Sequence, residues 1–183
     1  MKKIILVLIA IAMVGCNTLG YNSVKEPTYE DAAVSKFVQA NYAATDALLG
    51  SLRKPIASHL PIMVATLVNI DELTQSSRLG RLISEQIGAR LTQLGYNVIE
   101  LKLRGDIFIK RSEGELLLSR EIKDIMQYHK SNTVVVGTYS VAKDFVYINI
   151  KMVDGQENVS IAANDYVLPL DGNVRALLSA RNK

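Results

Sequence analysis

The chain has 183 residues, 21 Lys and Arg against 18 Asp and Glu, a net charge of +3 and a hydrophobic share of 49%. Those values suit one domain of ordinary size. They offer no electrostatic basis for nucleic-acid binding, which concentrates Lys and Arg on one face, and a single cysteine excludes an internal disulfide.

The amino terminus has three parts in order. Lys2 and Lys3 are followed by an apolar run from Ile4 to Val14, and then by Met13-Val14-Gly15-Cys16, with a small residue directly before the cysteine. A basic start, a short apolar core and a small-residue cleavage site make a secretory signal peptide. The run is shorter than the roughly 18 or more apolar residues that a membrane-spanning helix takes. Met13-Val14-Gly15-Cys16 resembles the bacterial lipobox, in which the thiol is diacylated, the leader is cut away and the new amino group is acylated. Residues 1–15 are therefore expected to be a lipoprotein signal peptide, with Cys16 as the lipidated residue. One acyl chain alone binds a membrane only marginally, whereas a triacylated cysteine anchors stably. Asn17 stands where an inner-membrane retention signal resembles an aspartate, which favours the outer membrane. Without Lys2 and Lys3 the charge falls to +1, so the basic balance belongs partly to the leader.

Residues 16–27 are polar, contain Gly20 and Pro27 and show no periodicity, so they read as a lipidated tether. About ten extended residues span roughly 35 Å, which keeps the domain near its membrane. Residues 28–60 read as an amino-terminal amphipathic helix and a linker. Thr28 is the expected cap, with Glu30 and Asp31 in the first turn. Val34, Phe37, Val38, Tyr42, Thr45, Leu48, Leu49 and Leu52 recur at helical spacing down to Arg53, the pattern of a core-packing helix.

From residue 61 to 180 the pattern is that of an α/β domain. Ile62–Ile70 is a continuous apolar run fit for a strand covered on both faces. Ser76 or Ser77 caps a helix with Leu79, Leu82, Ile83, Ile87, Leu91 and Leu94 on one stripe. Gly95 stops it in a left-handed conformation, and Tyr96–Leu103 is strand-like again. Ile107–Ile109 and Leu116–Leu118 suit a hairpin, and Ser119 caps a short helix with Ile122, Ile125 and Met126 inward. Thr133–Val141, Phe145–Val153 and Val159–Leu168 read as three strands joined by tight turns, with a last short helix from Asn173 to Ala180. The expected fold is a single α/β domain with a mixed sheet, parallel pairing first and antiparallel hairpins after.

The residues of catalysis are not assembled in any familiar pattern. His59 and His129 are the only histidines, without HExxH, metal spacing or a second cysteine, and no phosphate loop or nucleophile elbow occurs. No catalytic residue, metal or cofactor is expected. His129 reads as a helix-end residue, and Gly80 and Gly88 as packing positions within a helix. Arg104-Gly105-Asp106 reads as a turn between strands.

Several stretches in a fixed order resemble the FlgO family of flagellar outer-membrane lipoproteins. They are Ser77-Arg78-Leu79-Gly80-Arg81-Leu82-Ile83-Ser84-Glu85-Gln86, then Gly95-Tyr96 with Glu100, then Leu118-Ser119-Arg120-Glu121. Val136-Gly137-Thr138-Tyr139-Ser140-Val141 and Asn173-Val174-Arg175-Ala176-Leu177-Leu178 complete the set. The resemblance implies a non-enzymatic, periplasm-facing component that supports flagellar assembly, stability and motility. Its expected partners are the membrane, through the lipid, and proteins of the basal body or an outer-membrane ring. A ring role requires a repeated interface between copies, so a homo-oligomer is one expected form. Arg78, Arg81, Arg120 and Arg175 are the candidate partner contacts, against a plainer reading as caps and surface ion pairs. The alternative function is a lipid-tethered periplasmic ligand-binding or sensory module, which a polar pocket lined by several of these arginines would favour.

Overall fold

The computed structural model describes residues 26–57, 59–101, 108–110, 116–118 and 120–179, with the side chains of 108–110, 116–118, 120 and 121 outside that description. The leader, Cys16, most of the tether, the Arg104-Gly105-Asp106 turn and the Ser119 cap all lie outside the described residues. In chain order the elements are α1 (Tyr29–Ala33), α2 (Phe37–Gly50), β1 (Ile62–Ala65), β2 (Val68–Asn69), α3 (Arg78–Gln93) and β3 (Val98–Leu101). There follow β4 (Phe108–Lys110), β5 (Leu116–Leu118), α4 (Arg120–Tyr128), β6 (Thr133–Val141), β7 (Phe145–Asp154), β8 (Val159–Pro169) and α5 (Gly172–Leu178). Two compact units, residues 1–34 and 35–183, divide the chain.

In the first unit α1 has a capping box. The Thr28 hydroxyl accepts from the Asp31 backbone, and the Asp31 carboxylate accepts from the Thr28 N–H at 2.9 Å. A single helix from Thr28 to Arg53 is not what forms. The helix is interrupted after Ala33, Val34 is 75% exposed, and the Ser35 hydroxyl accepts from the Phe37 N–H at 3.5 Å. Serine offers the backbone a local alternative to helix, which suits a break there.

In the second unit α2 buries Asn41, Ala44, Thr45 and Leu48, while Val38 faces solvent. Phe37, Thr45, Leu48, Leu49 and Leu52 of the expected stripe face the core, and Asn41 and Ala44 join them, with Asn41 and Thr45 polar yet satisfied internally. Thr45 donates to the Asn41 carbonyl, and Asn41 bonds outward to α3 and β8. The bidentate Arg90–Asp46 pair, with both contacts at 2.8 Å, joins α3 to α2 at the surface.

The main sheet runs β3-β1-β6-β7-β8, with β2 also beside β6. Pairings of β1 with β3, β1 with β6 and β2 with β6 are parallel; β6–β7 and β7–β8 are antiparallel. The mixed sheet is therefore parallel first and antiparallel after. β4 and β5 form a separate antiparallel pair with Phe108 opposite Leu118.

The run Ile62–Ile70 is two strands rather than one. Against β6 it takes four steps from Val64 to Val68 where its partner takes three, from Val135 to Thr138. Leu67 leaves the ladder in this extra step. Its N–H donates to the Ser84 hydroxyl at 2.9 Å, and its carbonyl accepts from the Ser76 hydroxyl at 2.7 Å. Side chains of the next helix and of the residue before its cap thus take the place of a sheet neighbour.

One hydrophobic cluster fills the face under α2, α3 and α5. It is built from Leu48, Ile83, Ile87, Val135, Ile148, Ile150 and Val174 among others. A second, with Met63, Ala65, Ile122, Met126, Val134 and Val136, lies under α4. The parallel half is accordingly covered on both faces, as its continuous apolar strands require. On the antiparallel half Tyr147 and Val167, opposite each other on the second face, are exposed.

α3 ends at a Schellman turn. Gly95 has φ +90°, its N–H donates to Thr92, and the Tyr96 N–H donates back to Leu91 at 3.1 Å. The last helix is capped by Asp171, whose carboxylate accepts from the Val174 N–H at 2.8 Å.

Candidate functional site

Three of the stretches singled out in the sequence meet at one place. The α3 start (Ser77–Arg81), the end of β6 (Tyr139–Val141) and the end of α5 (Leu178–Ser179) line a cleft of about 460 Å³. It lies at the carboxyl ends of β2 and β6. There the chain order reverses, because β1 and β2 lead through α3 to β3 on one side while β6 lies on the other. Ligands of open α/β sheets collect at such reversals.

Local chemistry holds the walls in place. The Ser77 hydroxyl caps α3 by accepting from the Gly80 N–H at 3.1 Å. The Ser77 N–H donates to the Tyr139 hydroxyl at 3.1 Å, which ties the helix start to β6. Gly80 permits this approach: a Cβ there would collide with the Leu67 carbonyl, lie 2.8 Å from Ser76 Oγ and press on the Tyr139 ring. Gly137 is a second close contact, where a Cβ would lie 2.7 Å from the Asn149 carbonyl and 2.9 Å from Leu67. Packing accounts for Gly80, as expected. Gly88 is less tight, with Glu100 Oε1 3.2 Å from the position of a Cβ.

The four candidate arginines separate. Arg78 and Arg81 both line the cleft. Arg78 donates to the Ala176 carbonyl and, at 3.3 Å, to the Ser179 carbonyl, so it caps the carboxyl end of α5. Arg81 makes no hydrogen bond or ion pair among the described residues. Arg175 reaches the Lys143 carbonyl at 3.5 Å and is not among the cleft's lining. Arg120 opens α4, and its side chain lies outside the described residues. Among the described residues no group of three His, Cys, Asp or Glu is placed to hold a metal ion. His129 follows the last residue of α4 and packs edge-on against Tyr128 at 5.0 Å between ring centres.

Two polar assemblies were hidden in the sequence. In the first, Asn41 donates to Gln86 at 2.5 Å and accepts from the Tyr166 hydroxyl at 2.6 Å. Burial pushes the Tyr166 phenol far up, so it stays a neutral donor. The signal for this was an asparagine at core spacing on α2. In the second, Asp154 accepts from Lys54 at 2.9 Å and from the backbone N–H groups of Gln156 and Glu157. Burial works to raise the Asp154 carboxyl, but the bonds from Lys54, Glu157 and Gln156 outweigh it and hold it below the ordinary range.

The family model described as FlgO protein matches residues 42–173, from within α2 into α5. The chain belongs to the FlgO family. The FlgO match therefore spans the whole main sheet, α3 and α4, with most of the cleft's lining. Among curated proteins none matches the chain. Solved structures share the fold at low identity. The LpoB C-terminal domain from Escherichia coli aligns with a TM-score of 0.52 at 10% identity, covering 73% of this chain and 98% of that one. The LpoB C-terminal domain from Salmonella enterica gives 0.50 at 10% identity, covering 71% and 96%. Likeness at that identity is one of fold alone. Among the described residues no helix is long and apolar enough to cross a membrane.

Proposed function

We propose that this FlgO-family protein is a non-enzymatic lipoprotein, held to the outer membrane through acylated Cys16 and facing the periplasm. It supports flagellar assembly, stability and motility as a structural or interaction component. The observation that carries this reading is the FlgO match over residues 42–173, set behind a leader that ends at a lipobox-like cysteine. Its protein partners belong to the basal body or an outer-membrane ring, with copies of the same chain among them. In-frame deletion of the gene, followed by counting flagella and measuring swimming, tests the reading. Fewer or detached flagella and reduced swimming are expected, restored by the intact gene. Unchanged flagella and motility in a flagellated host would contradict it.

A second reading is a lipid-tethered ligand-binding or sensory module. The cleft lined by Arg78 and Arg81 favours it. The two readings are compatible, since a flagellar component can carry a ligand site.

A further inference from the structure

Arg78 and Arg81 stand in the first turns of α3, which carries no acidic residue in its first turn. Cations at the positive end of a helix are electrostatically unfavourable, and like charges three residues apart repel. α1 follows the opposite and usual rule, with Glu30 and Asp31 in its first turn. A structural role rewards Arg78, which caps α5. Nothing among the described residues rewards Arg81. A local rule broken without compensation marks a functional position.

The cleft around these two arginines has the matching chemistry. Among the described residues no carboxylate lines it, so none of them neutralises its two guanidinium groups. Tyr139 is 4% exposed and also lines it. Its hydroxyl accepts from the Ser77 N–H, which fixes it at the wall beside the start of α3. The volume of about 460 Å³ suits a small ligand. A guanidinium fork fits the planar, paired oxygens of a carboxylate and the oxygens of a phosphate.

We infer that the cleft at the carboxyl ends of β2 and β6 binds the oxyanion group of a small ligand, a carboxylate or a phosphate, on Arg81. Arg78 and Tyr139 face the same oxygens. Arg78 is already fixed to α5, so binding there also bears on the carboxyl end of that helix. The inference does not rest on the flagellar role.

The test uses the full-length lipidated chain in non-ionic detergent. Glutarate and inorganic phosphate are titrated separately at constant ionic strength, and the arginine and tyrosine side-chain resonances are followed by NMR. Saturable shifts of Arg81 and Tyr139 are expected with at least one probe. Saturation by glutarate alone assigns a carboxylate, by phosphate alone a phosphoryl group, and by both a general oxyanion site. Arg81→Ala should weaken binding by about tenfold or more, Arg81→Lys should recover part of it, and Arg175→Ala should leave it unchanged. Absence of saturation with both probes, or an Arg81→Ala protein that binds as the wild type does, overturns the inference. Flagellation does not enter this readout, so either proposal can fail without the other.

Discussion

The Tyr166 phenol donates to the Asn41 side-chain carbonyl at 2.6 Å and thereby joins β8 to α2 across a gap of 125 residues. Asn41 in turn donates to Gln86 on α3, so three elements share one buried amide. Such a group specifies how the helices seat on the sheet only while each member is paired.

Tyr166→Phe leaves the Asn41 acceptor without its donor. It should cost about 1–2 kcal/mol in urea unfolding, and Asn41→Ala more, because the Tyr166 hydroxyl and Gln86 then both lose a partner. A double-mutant cycle on Asn41 and Tyr166 should return a coupling of about 1 kcal/mol. Strict additivity of the two changes would show that the bond is not formed.

The same phenol sets an alkaline limit. Its pKa is raised in the folded state by burial, so the folded protein holds that proton more tightly than the unfolded chain does. The resulting stability is complete below the ordinary value of 10.0 and is lost as pH rises from there toward the folded value. Unfolding measured between pH 9 and 11.5 (about that range brackets the ordinary tyrosine value) should show stability falling in the wild type and a flatter profile in Tyr166→Phe.

Asp154 acts at the other end of the scale. Its folded pKa is depressed, so its contribution is present above the ordinary value of 3.8 and is lost as pH falls through the folded value. Asp154→Ala should cost about 1–2 kcal/mol at neutral pH through the lost turn bonds and should flatten the acid limb of the stability curve. An unchanged acid limb would show that other carboxylates set it.

Glycine substitutions should have opposite signs at two helix positions. Gly80→Ala drives a methyl group into the Leu67 backbone carbonyl and should destabilise by about 1–3 kcal/mol. Gly50→Ala, at the end of α2 with nothing within 4 Å of the added carbon, should be neutral or stabilise by about 0.5–1 kcal/mol. Thermal unfolding of the two variants decides both.

Much of this fold is legible in the sequence because the informative signals are local. Thr133–Val141 is strand to the residue, since its apolar run ends where turn residues begin. Gly95 stops α3 through a conformation open to glycine. The break at Leu67 was not legible, because its backbone partners are Ser76 and Ser84, 9 and 17 residues further on, and nothing in Leu67 itself announces them. The place of Asn41 in the core face of α2 is hidden for a related reason: Asn41 reads as polar until Tyr166 and Gln86 are brought to it. Of the four arginines, the sequence could name the group but not sort it. What separates Arg78 from Arg81 is the carbonyl of Ala176, 98 residues from Arg78, which pairs with one and not the other.

Our proposal places this FlgO-family protein at the flagellar base through lipid on Cys16. It is tested most directly by isolating basal bodies with their outer membrane intact from cells producing the wild type or Cys16→Ser, and probing for this chain. Mature wild-type protein is expected in the basal-body fraction, with uncut or mislocalised Cys16→Ser absent from it. Wild-type protein missing from basal bodies, or a mature Cys16→Ser protein still fractionating with the outer membrane, would contradict it.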